Sequence, residues 1–344
     1  MFRIQMETYK DIEAYRVGPL LGVTDFLFVF PFLEYLRRRK TSSMRLDLGG
    51  GDTPWQSEAD RRMIREDLRG GATFLTNHRD IIMDAAWLSF LLRTHYWIRP
   101  YMGIGNNLLS KRWIEWLVRY LRCYVVVRDG GPKEVMKNAQ HLSAYIQMLR
   151  GKGKSIWLAQ REGRAKDGND LTQPAVLKML TMGSGDFLDA IRKLNICPVS
   201  INYEFDPCDY LKAREMQLRR DDPQWKKPKG EDELSMKTGI FGEKGRVVYR
   251  ITPSLNHWMD ANKETLEKMT RNEQVQAVAK QIDYQIHIGY ETYERGEAFE
   301  QYLQERLAMI ETANKDEVYL MDKLHEMYRN PVLNHQAAKE KKGL

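Results

Sequence analysis

Short apolar runs alternate with helix-length segments from Ala72 to Tyr203, and this rhythm constrains the fold more than any other feature of the chain. Ala72 to Thr76, Tyr96 to Tyr101, Tyr124 to Val127, Ser155 to Ala159 and Ile196 to Tyr203 read as strands, and Arg246 to Ile251 as a later one. Between them Ile81 to Leu92, Pro132 to Arg150, Val176 to Met182 and Gly185 to Lys193 read as helices. So does Leu108 to Leu121, with Trp113, Trp116, Leu117 and Tyr120 at helical spacing. Strands separated by helices of this length predict an α/β fold: a mixed, largely parallel sheet flanked by helices. From about Asn256 onward the pattern is helical and charged. The expected organisation is an N-terminal helical segment and loop (1–60), a central domain (61–255) and a C-terminal helical extension (256–344). Thr41 to Thr53, punctuated by Gly49-Gly50-Gly51, reads as a loop, and so does Arg219 to Asp232 with its two prolines.

Polar residues gather at the ends of the expected strands. Ala72 to Thr76 runs into Asn77-His78-Arg79-Asp80 and then into an apolar helix whose one charge up to Leu92 is Asp84. A lone carboxylate in such a run is either surface-facing or buried and paired. Paired with His78, it makes the imidazole a directed general base. The plainer reading is a capped helix start with a surface histidine. Arg128 ends another strand, Arg161, Glu162, Gly163 and Arg164 follow a third, and Tyr203 and Glu204 close a fourth that has Pro198 near its start. In a parallel sheet these ends share one rim. A base, a carboxylate and several guanidinium groups there suit an acceptor carrying phosphate.

The formal charge is +7 and the isoelectric point about 9.1. That balance favours anionic partners: nucleic acid, phosphorylated metabolites or an anionic membrane surface. The basic residues are dispersed among nearly as many acidic ones and no recognition-helix or RNA-binding signature is present, so nucleic acid is not an expected partner. Three widely spaced cysteines, Cys123, Cys197 and Cys208, suggest neither a zinc site nor a disulfide framework, and free thiols fit a reducing cytosol. Met1 to Glu13 lacks a signal-peptide pattern. Val17 to Leu36 is the most apolar segment, but Pro19, Asp25, Pro31 and Glu34 argue against a spanning helix. With Arg37-Arg38-Arg39-Lys40 at its end it reads equally as an interfacial segment on an anionic bilayer or as a core helix with a solvated basic end.

In order and context these blocks resemble the glycerolipid acyltransferases, the family that includes glycerol-3-phosphate and 1-acylglycerol-3-phosphate acyltransferases. Asn77-His78 with a following Asp, the strand ending in Arg128, Glu162-Gly163 after an apolar strand, and the strand opening with Pro198 are similar to that family's four blocks. Two positions depart from it. The family spacing puts the carboxylate at Met83, whereas Asp84 lies one further and Asp80 nearer. Isolation in an apolar run favours Asp84, while Asp80 suits a helix start. The family arginine falls at Ala165, flanked by Arg164 and Lys166, with Arg161 a further candidate.

The resemblance implies an O-acyltransferase whose His78, oriented by Asp84 or Asp80, deprotonates an acceptor hydroxyl that attacks an acyl thioester. It implies that Arg128, Arg161, Arg164 and Lys166 bind the acceptor phosphate, with Glu162 and Gly163 beside them. No cofactor or metal is expected beyond acyl-CoA or acyl carrier protein as donor. The implied partners are a glycerol-phosphate or lysophospholipid acceptor and an anionic membrane surface. The implied setting is phospholipid biosynthesis in the cytoplasm, at the inner face of the membrane. Alternatives are an acyltransferase for another lipid, such as an amino-acid lipid, or a non-catalytic basic binding module. Acceptor, chain length, thioester carrier and oligomeric state stay open.

Overall fold

A computed structural model describes residues 29–106, 122–127 and 130–341. Arg128, the expected aromatic helix 108–121 and residues 17–28 of the apolar N-terminal segment lie outside them. A seven-stranded sheet organises the described residues. Its strands are β1 (Ser43–Leu48), β2 (Thr73–Thr76), β3 (Tyr101–Gly105), β4 (Cys123–Val126), β5 (Ile156–Ala159), β6 (Ile196–Tyr203) and β7 (Arg246–Ile251). Their spatial order is β1-β7-β6-β2-β5-β3-β4. β2 to β6 run parallel to one another, β7 is antiparallel to β6, and β1 is parallel to β7. The chain is therefore α/β with a mixed, largely parallel sheet, and helices precede and follow it. The C-terminal ends of β2, β4, β5 and β6 share one rim, as parallel pairing requires.

Both faces of the sheet are covered, which is why its central strands β2 and β6 are buried throughout. All four residues of β2 are buried, with Phe74 in one core and Leu75 in the other, following the two-residue strand period. The helix Met83–Tyr96 fills the first face, with Trp87 fully buried. The helices Pro132–Gly151 and Arg271–Ile288 cover the second. A smaller core joins Ala213 to the C-terminal helices Glu297–Ala308 and Glu317–Glu340. Pro198 sits inside the sheet without breaking it. It aligns with Leu75 in the parallel pair, while the antiparallel register with β7 begins one residue later, at Val199↔Ile251. No rung of the β6–β7 ladder therefore calls on the missing N–H.

Three expectations shift. The stretch expected as a loop at Thr41 to Thr53 contains β1, whose alternation of exposed and half-buried residues reflects its place at the edge of the sheet. Tyr96 ends a helix, and the strand expected there begins at Tyr101. Its glycines disguised it: a Cβ at Gly103 would stand 2.8 Å from a Leu158 methyl and 3.1 Å from the Tyr124 hydroxyl. The loop expected from Arg219 starts late, because the helix Asp209–Asp221 runs into it.

The antiparallel half of the sheet is tied by Arg250, which is almost fully buried on β7. Its Nη1 donates to Gly289 O at 2.7 Å, and its Nη2 meets Asp47 of β1 at 3.2 Å and the Glu291 carboxylate. Arg45 also pairs with both acids, at 2.9 and 2.8 Å. Arg250→Met is expected to cost about 3 kcal/mol, the low end for a broken buried pair, because the acids keep Arg45. Urea unfolding measures it, and a loss within about 0.5 kcal/mol, the range of ordinary surface changes, would contradict this account.

Candidate active site

β2 delivers His78 to the rim, and Asn77 fixes the delivery. The Asn77 side chain donates to Ile201 O at 3.0 Å and accepts from Ile201 N at 2.7 Å, adding a side-chain rung between β2 and β6. The mostly buried His78 ring then meets Asp84, Nδ1 to Oδ2, at 2.8 Å. With an N–H at Nδ1 directed to the carboxylate, Nε2 keeps its lone pair.

Asp84 is completely buried, and donors reach both of its oxygens. Oδ2 also accepts the backbone N–H groups of Arg79 at 2.6 Å and Asp80 at 3.0 Å. Oδ1 accepts the Tyr203 hydroxyl, from the last residue of β6, at 2.7 Å. Tyr249 of β7 stands 3.1 Å from the Tyr203 hydroxyl and 3.1 Å from Asp84 O. Burial, with the nearby Asp84 charge, pushes both tyrosine hydroxyls well above their usual values, so both remain donors.

Asp80 does not face the imidazole. Its Oδ1 accepts the N–H groups of Ile82 at 3.0 Å and Met83 at 2.9 Å, capping the start of the helix. Burial raises its carboxyl above the usual range against the pull of Lys244. The residue added relative to the family spacing is taken up by the turn at Ile81 and Ile82, and the helix opens at Met83.

His78 lines a cleft of about 900 Å³. One part of its wall is apolar: Ile104, Val126, Leu142, Leu158, Val176 and Met179 come from β3, β4, β5 and the two helices that follow β4 and β5. The other part is polar, with Arg161, Glu162, Gly163, Arg164, Lys166 and Lys227. Arg161 Nε and Arg164 Nη1 are buried with no hydrogen-bond partner, which in a folded protein asks for an explanation. Lys166 pairs with Glu215 at 2.6 Å, and burial lowers its pKa despite that partner. Glu162 is exposed, and its backbone N–H donates to Gln173 Oε1 at 2.8 Å. Gly163 adopts φ +68°, and Ala165, at the family arginine position, is buried.

Residues 58–202 match the family model described as Acyltransferase. This segment is an acyltransferase domain of the glycerolipid acyltransferase family. No curated protein sequence matches the chain. The acyltransferase domain thus coincides with the strands whose ends build the cleft, while from beyond the matched segment Lys227 reaches the cleft and Tyr249 reaches the Asp84 network.

Some site residues were not legible in the sequence. Tyr203 stands at a strand end with nothing to assign it to Asp84, since that contact spans 119 positions. Lys227 lies in a charged stretch that gives no sign of facing the cleft. Asp170 is fully buried, its carboxylate oxygens without hydrogen bonds and 3.7 Å from Arg79 Nε. Burial raises its pKa, with Arg79 opposing.

Assayed side by side, Asp84→Asn is expected to lower acyl-transfer kcat by about 10³- to 10⁴-fold through loss of the Nδ1 partner. Asp80→Asn should stay within about tenfold of the parent, because an amide oxygen also caps a helix. Larger damage from Asp80→Asn than from Asp84→Asn would reverse the assignment.

Proposed function

We propose that this acyltransferase moves a fatty acyl group from an acyl thioester, acyl-CoA or acyl carrier protein, to a hydroxyl of a glycerol-phosphate or lysophospholipid acceptor. The observation that carries the reading is the His78–Asp84 pair at 2.8 Å on the wall of a cleft that is apolar in one part and cationic in another. His78 Nε2 takes the proton of the acceptor hydroxyl as its oxygen attacks the thioester carbonyl carbon. The C–S bond breaks, the thiolate leaves and is protonated, and an ester remains. Asp84 stabilises the imidazolium formed on the way. The chemistry requires no enzyme nucleophile, so no acyl-enzyme forms. The apolar wall receives the acyl chain, and Arg161 and Arg164, with their partnerless N–H groups, receive the phosphate. Lys166, paired with Glu215, lines the same part of the cleft.

The acylated product is an amphiphile, as is a lysophospholipid acceptor, so the protein works at an anionic membrane surface. Among the described residues no helix is long and apolar enough to cross a membrane. The helix Phe30–Lys40 turns Leu33 and Leu36 inward and leaves Phe32 45% and Tyr35 56% exposed, with Arg38 and Arg39 near its end. Trp97, 78% exposed, follows the helix packed beside it. Exposed aromatics beside arginines suit a bilayer interface.

Thiol release from a long-chain acyl-CoA is expected to depend on glycerol-3-phosphate or its 1-acyl derivative. It should fall by at least about 10²-fold in His78→Ala, and Arg164→Ala should raise acceptor KM by about tenfold. Near-normal turnover by His78→Ala sinks the mechanism, and turnover equal for phosphorylated and unphosphorylated alcohols sinks the acceptor class.

Sedimentation with phosphatidylglycerol vesicles tests the surface. Phe32→Asp with Tyr35→Asp should weaken binding about tenfold or more. Unchanged binding argues that this helix face is not the contact.

A further inference from the structure

The chain from Arg161 to Gln173 carries Arg161, Arg164 and Lys166 into the cleft, yet it has no regular secondary structure between β5 and the helix Pro174–Leu180. Such a segment is placed by its neighbours or not at all. Its neighbours include Arg79, 3.7 Å from Asp170, and two helices beyond the family-matched residues. Asn330 Nδ2 donates to Asp167 O at 2.8 Å, and Asn334 Nδ2 donates to Asn169 Oδ1 at 3.1 Å. Four positions apart, the two asparagines share one face of the helix Glu317–Glu340.

Between these two bonds lies Gly168, at φ +75°. It sits so close to the helix that a Cβ there would collide with the Met327 carbonyl oxygen. Met327 is four residues before Pro331, which lies inside the same helix. Proline has no N–H, so the Met327 carbonyl lacks its helical donor and faces the backbone of Gly168. Proline and glycine thus fit one another: the first frees a carbonyl, the second allows backbone to approach it. The helix Arg271–Ile288 adds two further bonds, His287 Nε2 to Asp170 O at 2.7 Å and Thr172 N to Asp283 Oδ1 at 2.7 Å.

We propose that Asn330, Pro331 and Asn334 are positioning residues that set acceptor selectivity, by clamping the Asp167–Asp170 loop that follows Arg161 and Arg164. The proposal rests on the preceding reading that those arginines receive the acceptor. The clamp acts on acceptor binding and leaves the thioester side of the cleft alone, because the apolar wall comes from other elements. A merely structural helix would behave differently: its damage would lower stability and all kinetic constants together.

Pro331→Ala separates the two. It returns a donor to the Met327 carbonyl and a better helix former to the helix, so thermal stability should hold or rise. Nevertheless the loop loses its fitted seat. In the full-length protein, amide exchange across residues 161–173 should quicken. With a long-chain acyl-CoA and glycerol-3-phosphate or its 1-acyl derivative, acceptor KM should rise about tenfold or more while acyl-CoA KM stays within about twofold. Asn330→Ala with Asn334→Ala should act in the same direction. Unchanged exchange overturns the clamp. Faster exchange with unchanged acceptor KM, or equal rises in both KM values, overturns the link to selectivity. Failure of the wild-type protein to acylate either acceptor is a separate result and sinks the functional reading, since it involves no variant.

Discussion

A carboxylate sealed from water must find its donors inside the protein, because an ionised group buried without them costs several kcal/mol. Asp84 meets that demand with the His78 ring, two successive backbone N–H groups and the Tyr203 hydroxyl. Much of the structure follows from this arrangement. The two N–H groups require the turn after β2 to fold back over the helix start. The hydroxyl requires β6 to end level with that turn, which the Asn77 rung to Ile201 secures. Tyr249 then brings β7 into the same network. The imidazole is therefore placed by three strands and a helix, and its geometry is as rigid as the sheet.

That network reaches past the acyltransferase domain as residues 58–202 define it. β7 lies outside that segment, and so does β1, which joins the sheet only through β7. The outer pair runs against the direction of the parallel strands and contributes no C-terminal strand end to the rim. Its contribution is to close the sheet beside β6, so that Tyr203 stands in a water-excluded interior. Arg250 makes this closure specific, because its guanidinium joins β7, β1 and the segment after the helix Arg271–Ile288.

What the sequence made legible was what local pattern controls. β6 is found at Ile196–Tyr203 as expected and β7 at Arg246–Ile251, because both are apolar runs bounded by turn residues. β1 was not legible. At an edge, strands need no continuous apolar run, and the nearby glycines gave the stretch the composition of a loop. β3 was displaced because glycine replaces the side chains that mark a strand, for the benefit of Leu158 and Tyr124. At the site, the placement of His78 on the rim was legible, since a strand end carries it. The partners that hold Asp84 were not, because a contact between Tyr203 and Asp84 exists only once β6 lies beside β2. Nor was the state of Lys166, whose pairing with Glu215 depends on the packing of the helix Asp209–Asp221.

The irregular spacing of the motif has a physical resolution. What the chemistry needs is a carboxylate oxygen within hydrogen-bond reach of Nδ1, and no rule fixes how many residues intervene. Here one more residue is spent in the turn, so the helix starts at Met83 and its second residue carries the carboxylate. Asp80 makes that longer turn possible by capping the N–H groups of Ile82 and Met83, which would otherwise be buried without acceptors. The two aspartates therefore divide the work that one sequence reading set between them as rivals. The same logic applies at Ala165. A cation three residues after Glu162 is absent, and the guanidinium groups of Arg161 and Arg164 stand on the cleft wall. A motif is a record of one way to place charges on a rim. When tertiary contacts hold the rim, the charges can be supplied from adjacent positions and the chemistry it permits is unchanged.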